Sequence, residues 1–253
     1  MENPAPKLFF IVPYRDRAQQ QSLFRRQMKY IMEDVPKTDY QIYFVEQCDV
    51  REFNRGALKN IGFLVAKTKY PNDYKNMTLV FNDVDTMPFT KNFLDYETIP
   101  GVIKHFYGFK FALGGIVSIT GGDFERLNGF PNFWAWGYED NLLNHRASTA
   151  GLIIDRRQFH PIFDKNIMHL SDGLIRNVNR SEFDRYLSYT TEGWNSIRNL
   201  NYSVDEEAGT INVYFFSTGI EENISQRQEH DLRTGPKPFG NAGKRAKVGM
   251  YLV

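Results

Sequence analysis

Asp83 and Asp85 stand one residue apart, directly after the apolar run Met77–Phe81. Where a buried strand ends, such a pair enters one polar crevice. Hard divalent cations take oxygen ligands, so Mg2+ or Mn2+ held there can bridge to a diphosphate. The same Asp83-Val84-Asp85 stretch also suits a solvated turn with an aspartate cap. A second cluster is Trp134-Ala135-Trp136-Gly137-Tyr138-Glu139-Asp140. It reads as an aromatic, glycine-bearing loop running into a helix whose first turn holds two carboxylates. A helix N-terminus stabilises the anionic form, which suits a general base. The tryptophans either pack in the core or stack on a flat apolar ligand such as a sugar ring. His169 is the third candidate. It is either a packed histidine or a nitrogen ligand completing a site begun by Asp85, and imidazole would favour Mn2+ over Mg2+. His105, His145, His160 and His230 show no metal spacing. Walker, G-x-G-x-x-G, H-E-x-x-H and G-x-S-x-G motifs are absent, which weakens P-loop, classical dinucleotide, zincin and serine-hydrolase readings.

These residues need a frame. Leu8–Val12 is a continuous apolar run closed by Pro13 and reads as a buried strand. From Arg17 to Met32, Phe24, Met28 and Ile31 fall at helical spacing. Tyr40–Val45 reads as a second strand. Asn54–Lys69 carries Leu58, Ile61 and Val65 on one helical face, with Pro71 beyond its end. Met77–Phe81 reads as a third strand. Strand and helix in alternation imply an α/β protein with a parallel sheet and helices on both faces, and ligands then bind beyond the carboxyl ends of the strands. Pro13-Tyr14-Arg15-Asp16-Arg17 and Asn82–Asp85 lie at two such ends. Asn54 and Arg55 open a helix whose free N–H groups can face an anion. Further on, Phe111–Thr120 reads as a strand containing Gly114 and Gly115, Asp123–Asn128 as a short helix, and Glu139–Ala150 as a helix ended by Gly151. Tyr202–Val204 and Thr210–Phe216 read as two strands of a hairpin.

The 253 residues fit one large domain. An apolar fraction of 42% and a charged fraction of 24% exclude disorder, collagen and coiled coil for most of the chain. With 31 basic and 30 acidic side chains, no net field favours nucleic acid or a membrane surface. No apolar run is long enough to span a membrane. Aromatics make up 15% of the chain, enough to fill a core and still line a sugar or base site. The single cysteine, Cys48, follows Tyr43-Phe44-Val45 and reads as a buried, inert thiol. Residues 231–253 hold one acid against five basic side chains and read as a loosely packed basic tail.

Taken in order, VPYRDR at 12–17, FNRGALKNIGF at 53–63, FNDVDTMP at 81–88, LGGIVSIT at 113–120, FERLNGFPNFWAWGYED at 124–140, FDRYL at 183–187 and EGWNSIRNLNYSV at 192–204 resemble the β-1,4-galactosyltransferase family. The resemblance spans residues 8 to 217. It implies a GT-A fold: a Rossmann-like, mostly parallel sheet flanked by helices, with an irregular C-terminal acceptor-binding half. Residues 1–253 would form one domain, with a nucleotide-sugar half over about 1–120 and an acceptor and catalytic half over about 121–217. The implied activity is metal-dependent, inverting transfer of a sugar from a UDP donor to a sugar hydroxyl on a glycan or glycoside. Pro13, Tyr14, Arg15 and Arg17 would line the uridine and diphosphate, with Phe53 and Arg55 opposite. Asp83 and Val84 would lie by the nucleotide, and Asp85 and His169 would ligate Mn2+, with Mg2+ as an alternative. Gly114 and Gly115 would let the backbone approach the donor. Trp136 would sit on a mobile loop between donor and acceptor. Gly137, Tyr138, Glu139, Asp140 and Asn141 would meet the acceptor, with Glu139 orienting substrate and Asp140 the catalytic base. Closure of the Trp136 loop and of the segment from His169 to Arg180 would exclude water.

The sequence departs from the family at four points. Asn141 stands where a longer acidic run often follows the base. The family's methionine ligand falls at Asn166. Ala112 replaces an aromatic, which makes room for an N-acetyl group, so UDP-GalNAc is as plausible a donor as UDP-Gal. The Golgi anchor and paired cysteines of animal members are missing. The chain is expected to be soluble, working in the cytosol or in a virus-like setting, or to be the Golgi-lumenal part of an anchored protein. Competing readings are a chondroitin-type GalNAc transferase, a non-catalytic carbohydrate- or nucleotide-binding protein on a transferase scaffold, and a metal-dependent phosphohydrolase using Asp83 and Asp85.

Overall fold

The computed structural model describes residues 4–171, 173–235 and 237–239. In chain order the elements are β1 (Leu8–Tyr14), α1 (Ala18–Ile31), β2 (Tyr40–Gln47), α2 (Arg55–Lys69), β3 (Thr78–Asn82), β4 (Thr86–Pro88), β5 (Val102–Gly108), β6 (Ile116–Thr120), α3 (Gly121–Arg126), α4 (Glu139–Thr149), β7 (Ile153–Asp155), β8 (His160–Pro161), β9 (Ile167–His169), β10 (Ile175–Asn179), α5 (Arg180–Leu187), β11 (Arg198–Asp205), β12 (Thr210–Ser217) and β13 (Arg227–Asp231).

The main sheet runs β11-β12-β2-β1-β3-β6-β5-β7, with β8 beside β5. β1 is parallel to β2 and β3, and β12 is parallel to β2. β6 runs antiparallel to both β3 and β5, so the sheet is mixed rather than wholly parallel. All of β1 is buried because both sheet faces are covered. Its residues alternate between two cores. Phe9 and Ile11 join Leu58, Ile61 and Val65 of α2, while Leu8, Phe10 and Val12 join Phe24, Met28 and Ile31 of α1.

Several expectations need correction. The strand expected over 111–120 begins only at Ile116, so Gly114 and Gly115 lie in the loop before it. The short helix expected over 123–128 spans Gly121–Arg126. Cys48 is exposed, not buried. β2 ends at Gln47, which takes the inward position, and Cys48 is the first residue to leave the sheet. Partial burial, then the charge of Glu46, push its thiol pKa up, so exposure does not make it an activated nucleophile. The start of the supposedly loose tail is ordered: Asp231 pairs with Ile175 in the β10–β13 ladder. Residue 236 and residues 240–253 of that tail lie outside the described residues. Among the described residues no helix is long and apolar enough to cross a membrane.

Candidate active site

The site sits where β1 and β3 end and α2 and α4 begin. Asn54 caps α2, its side chain accepting the Ala57 N–H at 2.9 Å. That cap sets Arg55 as the first helical residue, with its guanidinium aimed across the crevice. Arg55 makes two 2.7 Å contacts to Asp83, a 2.8 Å contact to Asp140 Oδ2, and a hydrogen bond to Glu139. One cation thus ties together carboxylates from the β3–β4 turn and from α4. Burial works against the Arg55 charge, but Asp140, Asp83 and Glu139 outweigh it and hold its pKa well above the ordinary value.

Glu139 and Asp140 open α4 because the chain reverses just before them. Gly137 has φ +101° and Tyr138 has φ +72°. A tyrosine in the left-handed region is strained, and its ring is held by Phe183 and Tyr186, each 4.9 Å away. Asp140 is clamped twice: Lys59 Nζ reaches Oδ1 at 3.0 Å and Arg55 reaches Oδ2. Burial alone would raise the Asp140 pKa, but Arg55 and Lys59 outweigh it and hold the carboxyl below its usual range. Glu139 goes the other way. Burial pushes its pKa up against the pull of Arg55, and its Oε2 is buried without a hydrogen-bond partner.

The backbone of 113–115 packs directly on these groups. A Cβ on Gly114 would lie 2.2 Å from Asp140 Oδ2, and the Leu113 N–H donates to the Asp140 carbonyl at 2.9 Å. Gly115 has φ +73°, and its carbonyl accepts the Asp83 N–H at 2.9 Å. The two glycines therefore permit close packing on protein groups, Asp140 and Tyr107, from a loop rather than from within a strand.

A second group centres on Asp85. Antiparallel pairing of β4 with β9 sets Thr86 opposite His169, and the Leu170 N–H donates to the Asp85 carbonyl at 2.9 Å. His169 Nδ1 is 2.7 Å from the Tyr107 hydroxyl, which also accepts the Phe163 N–H at 3.1 Å. That contact leaves Nε2 as the ring nitrogen for a metal. Arg17 Nη1 is 3.8 Å from Asp85 Oδ2. Burial, then the charge of Asp83, raise the Asp85 pKa, while His169 and Arg17 pull it down. Arg176 on β10 belongs to the same field: burial lowers its pKa and Asp85 opposes that. Among the described residues no group of three His, Cys, Asp or Glu side chains could hold a metal. Asp85 and His169 together offer one oxygen and one nitrogen, an open donor set that fits Mn2+ completed by diphosphate and water. Asn166 instead hydrogen-bonds Asp164, and Met168 packs against the core.

The remaining candidates divide. Arg15 donates to the Arg51 carbonyl at 2.6 Å and lies over the Phe53 ring. Pro13 is buried and Tyr14 packs edge-on against Phe44, so the Tyr14 ring belongs to the core. Val84 is likewise a core side chain. The two tryptophans separate cleanly. Trp134 is buried, stacked on Phe216 and hydrogen-bonded to Thr218. Trp136 is exposed, and its backbone N–H donates to the Asn177 carbonyl of β10 at 2.8 Å. Asn141 follows Asp140 on α4, half-buried. Lys59, Tyr107 and Arg176 were not anticipated. Lys59 alone had a signal, a lysine four residues after Arg55 amid apolar neighbours.

Two family models match the chain: the N-terminal region of glycosyl transferase group 7 over residues 3–96, and the N-terminal domain of galactosyltransferase over residues 102–169. Mouse β-1,4-galactosyltransferase 5 is 29% identical over 211 residues, covering 80% of this chain and 53% of that protein. The human protein of that name is 30% identical, covering 79% and 52%. The chain belongs to the β-1,4-galactosyltransferase family. It spans about half the length of these curated relatives. The catalytic domain of Drosophila β-1,4-galactosyltransferase 7 with xylobiose matches with a TM-score of 0.64, and a mutant of that enzyme with manganese, UDP-Gal and xylobiose matches with 0.66. Each is 20% identical and covers 85% of this chain and 95% of its own. The mixed, mostly parallel sheet flanked by helices is the GT-A architecture of that family.

Proposed function

We propose that this chain is an inverting glycosyltransferase that moves galactose or N-acetylgalactosamine from a UDP donor to a sugar hydroxyl. The observation that carries the reading is the Asp140 carboxylate at the start of α4, facing Gly114 and joined through Arg55 to Asp83. The Drosophila relative solved with manganese, UDP-Gal and xylobiose supports the same donor and metal here.

Arg15, Arg17, Phe53 and Arg55 bind the nucleotide and its diphosphate, with Pro13, Tyr14 and Val84 shaping that wall from the core side. Asp85 and His169 would hold Mn2+, or Mg2+ in its place, which when bound neutralises charge on the departing diphosphate. Gly114 and Gly115 admit the donor close to the backbone. Ala112, a small buried residue, leaves room for an N-acetyl group. Trp136, Gly137, Tyr138, Glu139 and Asn141 frame the acceptor. Asp140 takes the proton of the acceptor hydroxyl as its oxygen bonds to the anomeric carbon. The bond from that carbon to the diphosphate breaks on the opposite face, and its electron pair leaves with UDP. The Trp136–Asn177 hydrogen bond joins the two segments that close over the donor and keep water out. A single catalytic unit is favoured because β12, from the second half, completes the sheet of the first half beside β2.

The test is UDP release with Mn2+ and a panel of UDP-sugars, using GlcNAc, glucose and xylose as acceptors. Release with one donor, lost on chelation and raised by one acceptor, is expected. UDP–Mn2+ binding without release for any pair would instead mark a binding protein on a transferase scaffold. Phosphate release without an acceptor would mark a phosphohydrolase.

A further inference from the structure

Lys59 is 1% exposed, although it is a lysine on a helix. Its neighbours on α2, Leu58 and Asn60, are buried too, so the ammonium has no route to solvent along the helix. A buried ammonium is costly unless paired. Its partner is Asp140 Oδ1 at 3.0 Å, and it also lies 4.3 Å from the centre of the Phe130 ring, a cation–π contact. The spacing explains how it gets there. Arg55 and Lys59 are four residues apart on one helix and so share a face. The two cations are not equivalent. Arg55 is divided among Asp83, Glu139 and Asp140, whereas the hydrogen bond from Lys59 goes to Asp140.

We propose that Lys59 is a positioning residue for the transfer reaction, fixing Asp140 by Oδ1 so that Oδ2 is the oxygen that receives the acceptor proton. This rests on the reading of Asp140 as the base. Oδ2 packs against the bare Cα of Gly114. It is held by Arg55 Nη1, while Nε and Nη2 of the same guanidinium hold Asp83. Among the described residues the hydrogen bond and ion pair of the Lys59 ammonium are with Oδ1, although the Glu139 carboxyl also feels its charge. Charge counting supports the arrangement. Arg55 and Lys59 balance Asp83 and Asp140, while burial pushes Glu139, whose Oε2 has no hydrogen-bond partner, toward its neutral form against the pull of Arg55. His105 on β5 also feels Asp140, and burial, then the charge of Arg156, lower its pKa to about 4.

The decisive measurement combines a thermal-unfolding cycle of wild type, Lys59→Met, Asp140→Asn and the double variant with steady-state kinetics of the folded proteins. Asp140→Asn leaves a buried, unpaired ammonium. Adding Lys59→Met to it should therefore raise the melting temperature, while Lys59→Met alone lowers it. In kinetics, Lys59→Met should lower kcat by roughly tenfold to a hundredfold with the donor KM nearly unchanged. It should also move the acid limb of the pH profile upward, because a cation that favours ionised Asp140 is gone. Lys59→Arg should restore part of kcat. Additive melting temperatures would remove the Lys59–Asp140 coupling and the proposal with it. Coupled melting temperatures with unchanged kcat and acid limb would leave Lys59 a structural residue only, again overturning the proposal. Coupling in a wild type that turns over no donor would instead overturn the transferase reading, and with it any role of Lys59 in transfer.

Discussion

Gly114 presents a bare Cα to Asp140, and a methyl group there would come within 2.2 Å of Oδ2. No backbone strain is involved at this residue; the constraint is space. Gly114→Ala must therefore push the carboxylate aside. Its transfer rate is expected to fall about a hundredfold, the cost of displacing a reacting group by about 1 Å. Far-UV circular dichroism should be unchanged. An alanine variant with wild-type kcat would show that Oδ2 has slack and does not take the proton from that side.

Asp85→Ala should abolish the metal dependence of UDP binding, measured by calorimetry with and without Mn2+. Asp85 lies two residues after Asp83, yet the two face different partners, Arg17 and Arg55 respectively. Asp83→Ala should therefore leave Arg55 held only by Glu139 and Asp140 and weaken UDP binding both with and without metal. Identical behaviour of the two variants would refute that division of labour.

Tyr107→Phe removes the hydroxyl that contacts His169 Nδ1. An outer partner that fixes a ligating imidazole is typically worth ten- to a hundredfold in metal affinity. A loss of that size is expected in Mn2+ binding followed by electron paramagnetic resonance, before any sugar is added. Unaltered Mn2+ affinity would mean that the ring orientation is fixed by packing against the rings at 107 and 163, without the hydroxyl.

His105 gives the fold a pH dependence of definite sign. Burial, then the charge of Arg156, lower its pKa from 6.5 to about 4. Its Nε2 meets the Tyr107 carbonyl at 3.1 Å and its Nδ1 accepts from Arg156 at 3.2 Å, so the neutral ring is already satisfied. The unfolded chain takes up a proton near pH 6.5 that the folded chain refuses until about pH 4. Stability should therefore fall as pH drops through that window, by on the order of 3 kcal/mol. Above pH 7 this group contributes no slope. Melting curves of His105→Gln should be flatter between those limits.

The parts of the fold that were legible from residues alone are those with unbroken chemistry. β1 is continuously apolar because it is buried on both faces, and α1 and α2 show their inward residues at helical spacing. β5 went unread for a physical reason. Its Val-Ile-Lys-His-Phe-Tyr-Gly sequence is shifted in register between His105 and Tyr107, so Phe106 and Tyr107 are both buried and period-2 alternation fails. β9, β10 and β13 are short ladders whose partners lie far along the chain, and no local pattern announces them. The candidate site divides in the same way. Asp83, Asp85, Glu139, Asp140 and His169 were visible because their residue types can bind a metal or move a proton and because they lie near the ends of recognisable elements or match the family's motifs in order. Lys59, Tyr107 and Arg176 sit inside elements, where a lysine, a tyrosine or an arginine is ordinary. For Tyr107 and Arg176 only the folded contacts make the distinction; for Lys59 the four-residue spacing from Arg55 is the one trace in the sequence.

The placement of β12 carries a consequence for how the protein is made. β12 lies beside β2 in parallel, although most of the chain separates them. During synthesis, therefore, β2 remains an open sheet edge until residues 210–217 have left the ribosome. For that interval Tyr43, Phe44 and Val45 belong to a strand with unpaired backbone groups on one side, the kind of edge that templates aggregation. A nascent chain stalled before β12 should thus be a chaperone client, and its release should coincide with the arrival of β12.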